Sequence, residues 1–199
     1  EQMITVKALA EKCMASLSGY SDGYIKTGDG DDYLIQDDKA ANRAGLALLG
    51  IDCSKEGFEK AVQQAGLLLN FNNELTLSYS ENELSSLCKD TKVVAITSVD
   101  NSSTARADMA IPVASFSEYA GSIVNCDHIL QHFAKAISKN EDLLDISTIA
   151  VRLGSPLASD GERWNLLQQN ISALKEYAPE LIPAEGLNLK KSEAANVTA

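Results

Sequence analysis

The sequence predicts an α/β protein with a mostly parallel, doubly wound sheet in three layers, flanked by a helical N-terminal arm and a helical C-terminal extension. Three observations lead there. The run Leu67–Phe71 is short and apolar and follows a helical pattern closed by Gly66, as in a strand buried on both faces. A second run, KVVAITSV at 92–99, comes after another helical pattern, and a third, 109–114, comes after a helical turn and contains Pro112. Strand, helix, strand, turn, strand implies right-handed crossovers between parallel neighbours. The expected organisation is an arm and loop over 1–30, an α/β domain over 31–137, and a helical extension with a frayed tail over 138–199.

Each element has a local reason. Apolar residues over 4–14 recur at helical spacing, with Ile4, Leu9, Cys13 and Leu17 as the inner face and Ser18-Gly19 as the stop. The stretch YSDGYIKTGDGDD is a loop by its turn chemistry. Asp38 is placed to cap a helix over 39–49 that ends at Gly50, and Ser54 to cap one over 55–65 that ends at Gly66. Ser80 and Glu83 form a capping box ahead of Leu84, Leu87 and Cys88. Residues 103–107 make a helical turn. After Gly121, SIVN reads as a strand, while 129–137 fits strand and helix alike. Helices are expected over 143–153 and 163–177, separated by Gly154-Ser155-Pro156 and followed by Pro179 and Pro183. The tail KKSEAANVTA is polar and expected to fray.

At 199 residues, 45% of them hydrophobic, the chain can bury a sizeable core. Asp and Glu outnumber Lys and Arg 28 to 17, a net charge of -11, which argues against nucleic acid, since phosphate binding needs clustered cations. No apolar run approaches the roughly 20 residues that span a bilayer. The start EQMITVKALAEKC lacks the basic residues and long apolar stretch of a secretory signal. Beginning on Glu1 rather than Met, it reads as a processed product, an expressed fragment or part of a chain. Cys13, Cys53, Cys88 and Cys126 are too far apart for a cluster or zinc motif and are expected as buried, reduced thiols. Sequons at Asn101, Asn170 and Asn196 are read as chance.

A family resemblance rests on two segments. The stretch TSVDNSSTARADMAIP, followed after five residues by EYAGSIVNCDHILQ, resembles the molybdopterin oxidoreductase pattern T-A-x-x-A-D-x-x-L-P then E-x-x-G-T-x-x-N-x-E-G-R-x-Q. Thr104, Ala105, Ala107, Asp108 and Pro112 fall on its first half, and Glu118, Gly121, Asn125 and Gln131 on its second. Upstream, Asp38, Lys39, Asn42, Gly45 and Gly50 resemble the D-K-x-x-N-x-x-G-A-x-x-L-G element of the large iron–sulfur subunit of NADH:quinone oxidoreductase. The chain departs from the pattern at E-G-R, where it has Asp127-His128-Ile129. It departs again after the Leu67 strand, where Phe71-Asn72-Asn73-Glu74 replaces the turn that approaches the guanosine part of a molybdenum cofactor.

The resemblance implies a non-catalytic structural and docking domain in the peripheral arm of a respiratory, complex I-like assembly that carries electrons from NADH. Such a domain has no cofactor of its own, and the iron–sulfur clusters lie in a region absent from this sequence. Its partners would be other subunits, including an iron–sulfur protein. Its place would be peripheral, without membrane insertion, on the cytoplasmic face of a bacterial inner membrane or the matrix side of the mitochondrial one. The pattern residues Thr104, Asp108, Pro112, Glu118, Gly121, Asn125 and Gln131 are then structural. The alternative is a stand-alone domain that binds a pterin or nucleotide at the carboxyl ends of its strands, with a concave pocket after Phe71 and Val99.

Other chemistry is thinly written. Cys126, His128 and His132 are the residues with metal-ligand character, together with Asp127. On a helix the two histidines lie one turn apart, on a strand about 13 Å apart. Ordinary surface or core histidines are the expected reading. Asp31, Asp32, Asp37 and Asp38 lack the spacing of a calcium loop and read as a solvated acidic loop with a cap. No nucleophile elbow and no phosphate-binding loop is present.

Overall fold

The computed structural model describes residues 1–20, 30, 31, 37 and 40–190. The Gly/Asp-rich loop, Asp32, the Asp38 cap with Lys39, and the polar tail after Lys190 lie outside the described residues. Helix α1 spans Gln2–Cys13, α2 Arg43–Leu48 and α3 Lys55–Gln63; strand β1 is Leu67–Phe71. Helix α4 is Glu81–Leu87, β2 Lys92–Thr97, α5 Ser102–Arg106 and β3 Met109–Pro112. A second group of strands follows: β4 over Gly121–Val124 and β5 over Ile129–Phe133. Helices α6 over Ile146–Arg152 and α7 over Asp160–Asn170 precede β6, Leu187–Asn188. No helix among the described residues is long and apolar enough to cross a membrane.

Among the described residues the protein is thus mixed helix and strand, with two three-stranded sheets. In the first, β1, β2 and β3 are parallel and lie in sequence order, Leu67 facing Lys92 and Val94 facing Met109. Both crossovers therefore step the same way, with no reversal of order among these strands. Alternation along the strands sends Leu69, Phe71, Val94, Ile96, Ile111 and Val113 into a core with Val6 and Leu9 of α1 and Ile146, Ile149 and Ala150 of α6. A separate cluster gathers Leu68 with Phe58 and Val62 of α3, Leu84 of α4, and Tyr20, Leu75 and Tyr79. Thr91 joins α3 to the start of β2: its buried hydroxyl lies 2.7 Å from the Ala65 carbonyl and 3.1 Å from that of Val62.

The second sheet, β4–β5–β6, is antiparallel throughout. It resolves the ambiguity of 129–137 as a strand followed by an exposed segment. Asn125 makes the tight turn, its Oδ1 accepting N–H bonds from Asp127 and Ile129 at 3.0 and 2.9 Å. Strand β6 had no signal in the sequence, because two residues carry no period. What seats it is Gly186, at φ +90, where any Cβ would collide with Ile129 and the Leu130 carbonyl. The core of this half joins Ile4, Val124, Leu130, Trp164, Leu167, Leu174 and Leu189.

Several expectations need correction. Helix α1 is no arm: Ile4 enters one core and Val6 and Leu9 the other, since its apolar residues surround the helix rather than form one stripe. It stops at Met14, which is left-handed at φ 52, before Ser18-Gly19; Cys13 is exposed, while Cys53, Cys88 and Cys126 are half-buried. Helix α2 begins at Arg43, short of the expected start. Helix α7 starts and ends early. A Ser159–Glu162 capping box opens it, and the chain then folds back so that Trp164 Nε1 donates to the Tyr177 carbonyl at 2.8 Å. The C-terminal extension is not purely helical, since it contributes β6.

Candidate functional site

The two segments that carry the family pattern meet at the outer edge of β4. Asn125 N–H bonds Ile129 O, so in an antiparallel ladder the N–H groups of Ser122 and Val124 face away from β5. Both are taken by side chains. Glu1 accepts from Ser122 N–H at 3.0 Å, and Asn42 Oδ1 from Val124 N–H at 2.9 Å. Asn42 holds the N-cap position of α2 yet makes no cap bond, because its side chain turns to the strand instead. Gly45 keeps that route open: a Cβ there would collide with Asn42 Oδ1 and press on Val124 at 3.4 Å.

Of the remaining pattern residues, Thr104, Asp108 and Glu118 hold backbone. Thr104 closes the capping box of α5, accepting from Asn101 N–H at 2.9 Å. Asp108 accepts from Val93 N–H at 2.9 Å and from Lys92 at 2.7 Å, and the bond from the Lys92 ammonium, helped by the Val93 N–H, holds its carboxyl below the usual range. Pro112 ends β3 opposite Thr97. Glu118 accepts from Ser115 N–H at 2.8 Å and Asn140 N–H at 3.2 Å, which lowers its carboxyl as well. A Cβ on Gly121 would lie 3.1 Å from the Phe133 ring. Gln131 is exposed on β5 opposite Ile123.

His128 stands where the pattern has glycine and adopts φ 64, a backbone conformation that favours glycine. Its Nδ1 lies 3.2 Å from the Cys126 carbonyl, whereas His132 Nδ1 lies 3.1 Å from Ser122 Oγ. The two histidines thus face different partners, and no group of three His, Cys, Asp or Glu able to hold a metal forms among the described residues.

A cleft of about 530 Å³ opens beside β4, between the start of α1, the β4–β5 hairpin and α7. It contains a chain of polar groups that sequence reasoning missed: Glu1, Ser122 and His132, with Ser122 Oγ 3.2 Å from the carboxylate. The signal was strand register, which pairs Ser122 with His132 across the hairpin and is invisible until β5 is known to be a strand. The acid sits on the serine rather than on the imidazole, the reverse of a nucleophilic triad, in which it must orient the histidine. A smaller cavity, about 190 Å³, lies between α4, α5 and the sheet, lined by Arg106, Asp108 and Cys88, whose thiol burial pushes up.

Neither cavity is lined by residues 71–74 or 97–100. The carboxyl ends of β1 and β2 are bolted together instead. Asn72, at φ 48, donates its N–H to the Ile96 carbonyl at 2.9 Å and accepts from Ser98 N–H at 3.0 Å. Comparison with known protein families and with curated proteins finds no match to this chain.

Proposed function

We propose that this chain is a non-catalytic structural and docking domain of a complex I-like NADH:quinone oxidoreductase assembly, peripheral to the membrane and held against an iron–sulfur-bearing subunit. One observation carries the reading: the two segments that resemble the family lock together through Asn42 and Val124, and the side chains of Asn42, Asp108, Glu118 and Asn125 are engaged by backbone. The positive φ of His128, at the glycine position of the pattern, supports the same alignment. The fold is proposed as the three-layer, doubly wound type. Apolar side chains of β1–β3 meet α1 and α6 in one cluster, and Leu68 of β1 meets α3 and α4 in another, which favours the layering.

The test is native electrophoresis of mildly solubilised host membranes carrying a tagged copy. The expected result is co-migration of the tag with an iron–sulfur subunit and with NADH dehydrogenase activity, and loss of the assembled band when the gene is removed. A tag that runs as a free monomer, with NADH:quinone activity indifferent to its removal, overturns the proposal.

A further inference from the structure

The smaller cavity, about 190 Å³, lies on the face of the parallel sheet that carries Leu68 and Asn70. Its walls are fastened to one another. Arg106 of α5 donates to the Glu81 carbonyl at 3.2 Å and to Ser85 Oγ of α4 at 2.9 Å. Two polar side chains in the lining, Asn70 and Ser103, are each only 8% exposed. Asn70 donates its amide N–H to the Asn73 carbonyl at 2.7 Å, and no described residue donates to its Oδ1. That oxygen is not sealed from solvent, so it opens on the cavity that the residue lines. Ser103 Oγ accepts one long bond, from Thr76 N–H at 3.4 Å, and its hydroxyl proton has no acceptor among the described residues. Both side chains are tethered to the same short loop, at Asn73 and Thr76, and so face the cavity from neighbouring positions.

A buried acceptor and a buried donor left unmet are each unfavourable, and an occupant that answers both relieves them together. The charges in the lining are already answered within the protein. Arg106 Nη1 pairs with Glu81 at 3.1 Å, and Asp108 pairs with Lys92 at 2.7 Å. Leu75, Leu84 and Val93 add apolar wall. An ion therefore meets no unpaired opposite charge, and a hydrocarbon leaves Asn70 and Ser103 unmet. The volume is on the scale of cavities that enclose a single benzene ring, so the occupant has few heavy atoms.

We propose that this cavity binds a small neutral amide, its N–H donating to Asn70 Oδ1, its carbonyl accepting from the Ser103 hydroxyl, and its carbon frame against Leu75, Leu84 and Val93. The site is independent of the assembly proposed above and stands or falls separately, because it is read on the purified chain.

The probe is 2-piperidone, titrated into the full chain beside N-methyl-2-piperidone and cyclohexanone, which lack the donor, with backbone amide resonances followed in parallel. Saturable one-to-one binding of 2-piperidone is expected. The other two should bind about tenfold more weakly, the factor carried by one buried acceptor left unmet. Cys88, which lines the cavity, gives a second readout. Bound 2-piperidone should slow its alkylation by iodoacetamide, read by peptide mass, and leave Cys13, Cys53 and Cys126 unchanged. Ser103→Ala, which removes one hydroxyl, should weaken 2-piperidone several-fold. Asn70→Leu should abolish its advantage over cyclohexanone, and Ser103→Ala carries the test if that variant does not fold. Equal binding of the three probes, protection spread over all the cysteines, or no saturation at tens of millimolar, as for a cavity that holds water alone, overturns the proposal.

Discussion

At the scale of single residues, the polar groups that look most like chemistry are holding backbone. His128 bears the left-handed conformation of the hairpin turn without the freedom of glycine. His128→Gly is expected to raise the free energy of unfolding by about 0.5–1 kcal/mol, the left-handed penalty partly offset by the entropy glycine loses; urea denaturation reads it directly. Asp108 gives a pH signature. Its carboxyl is lowered in the fold, so its contribution is complete above the ordinary carboxylate range and disappears as pH falls through the depressed folded value. Asp108→Asn should therefore be less stable than the parent at neutral pH, and the gap between their urea midpoints should close below about pH 4. A gap that persists in acid would mean that the asparagine disturbs packing rather than an ion pair.

At the scale of elements, the strands of the parallel sheet and the capped helices were legible because their causes are local. Ser54 and Ser80 each accept an N–H three residues on, and β1 coincides with an apolar run that begins after a glycine. What could not be read depends on distant partners. Helix α7 ends where Trp164 and Gln168 reach the carbonyls of a chain folding back on it, and β6 exists because Gly186 lets two residues approach β5. The cleft was hidden for the same reason, being made by register and by α1. Thr91 tests such a long-range fastening. Thr91→Val keeps the shape but leaves the Val62 and Ala65 carbonyls without the hydroxyl, and should lower stability by about 1–2 kcal/mol. The loss should appear as faster amide exchange in α3 and β2 together.

At the scale of the whole molecule, α1 decides cooperativity. Ile4 is 1% exposed in the core of the antiparallel half, while Val6 and Leu9, in the same helix, close the core against the parallel sheet. Ile4→Ala should cost about 2–5 kcal/mol, yet the transition should stay single. Trp164, the one tryptophan, reports the antiparallel half by fluorescence, and far-UV dichroism reports the whole. Coincident curves in parent and variant are expected, and separated ones would show two halves that melt independently.

The position of α1 also bears on how the chain is made. Ile4 shares its core with Leu174 and Leu189, so α1 leaves the ribosome well before two of the residues that cover it. The strands β1–β3, contiguous in sequence, can pair while synthesis continues. The apolar residues of α1 stay uncovered on one side until α6 arrives and on the other until Leu189 does. Over that interval the nascent protein therefore offers that helix to whatever binds exposed apolar chain, and its escape from chaperones is timed by the segment that carries Leu189.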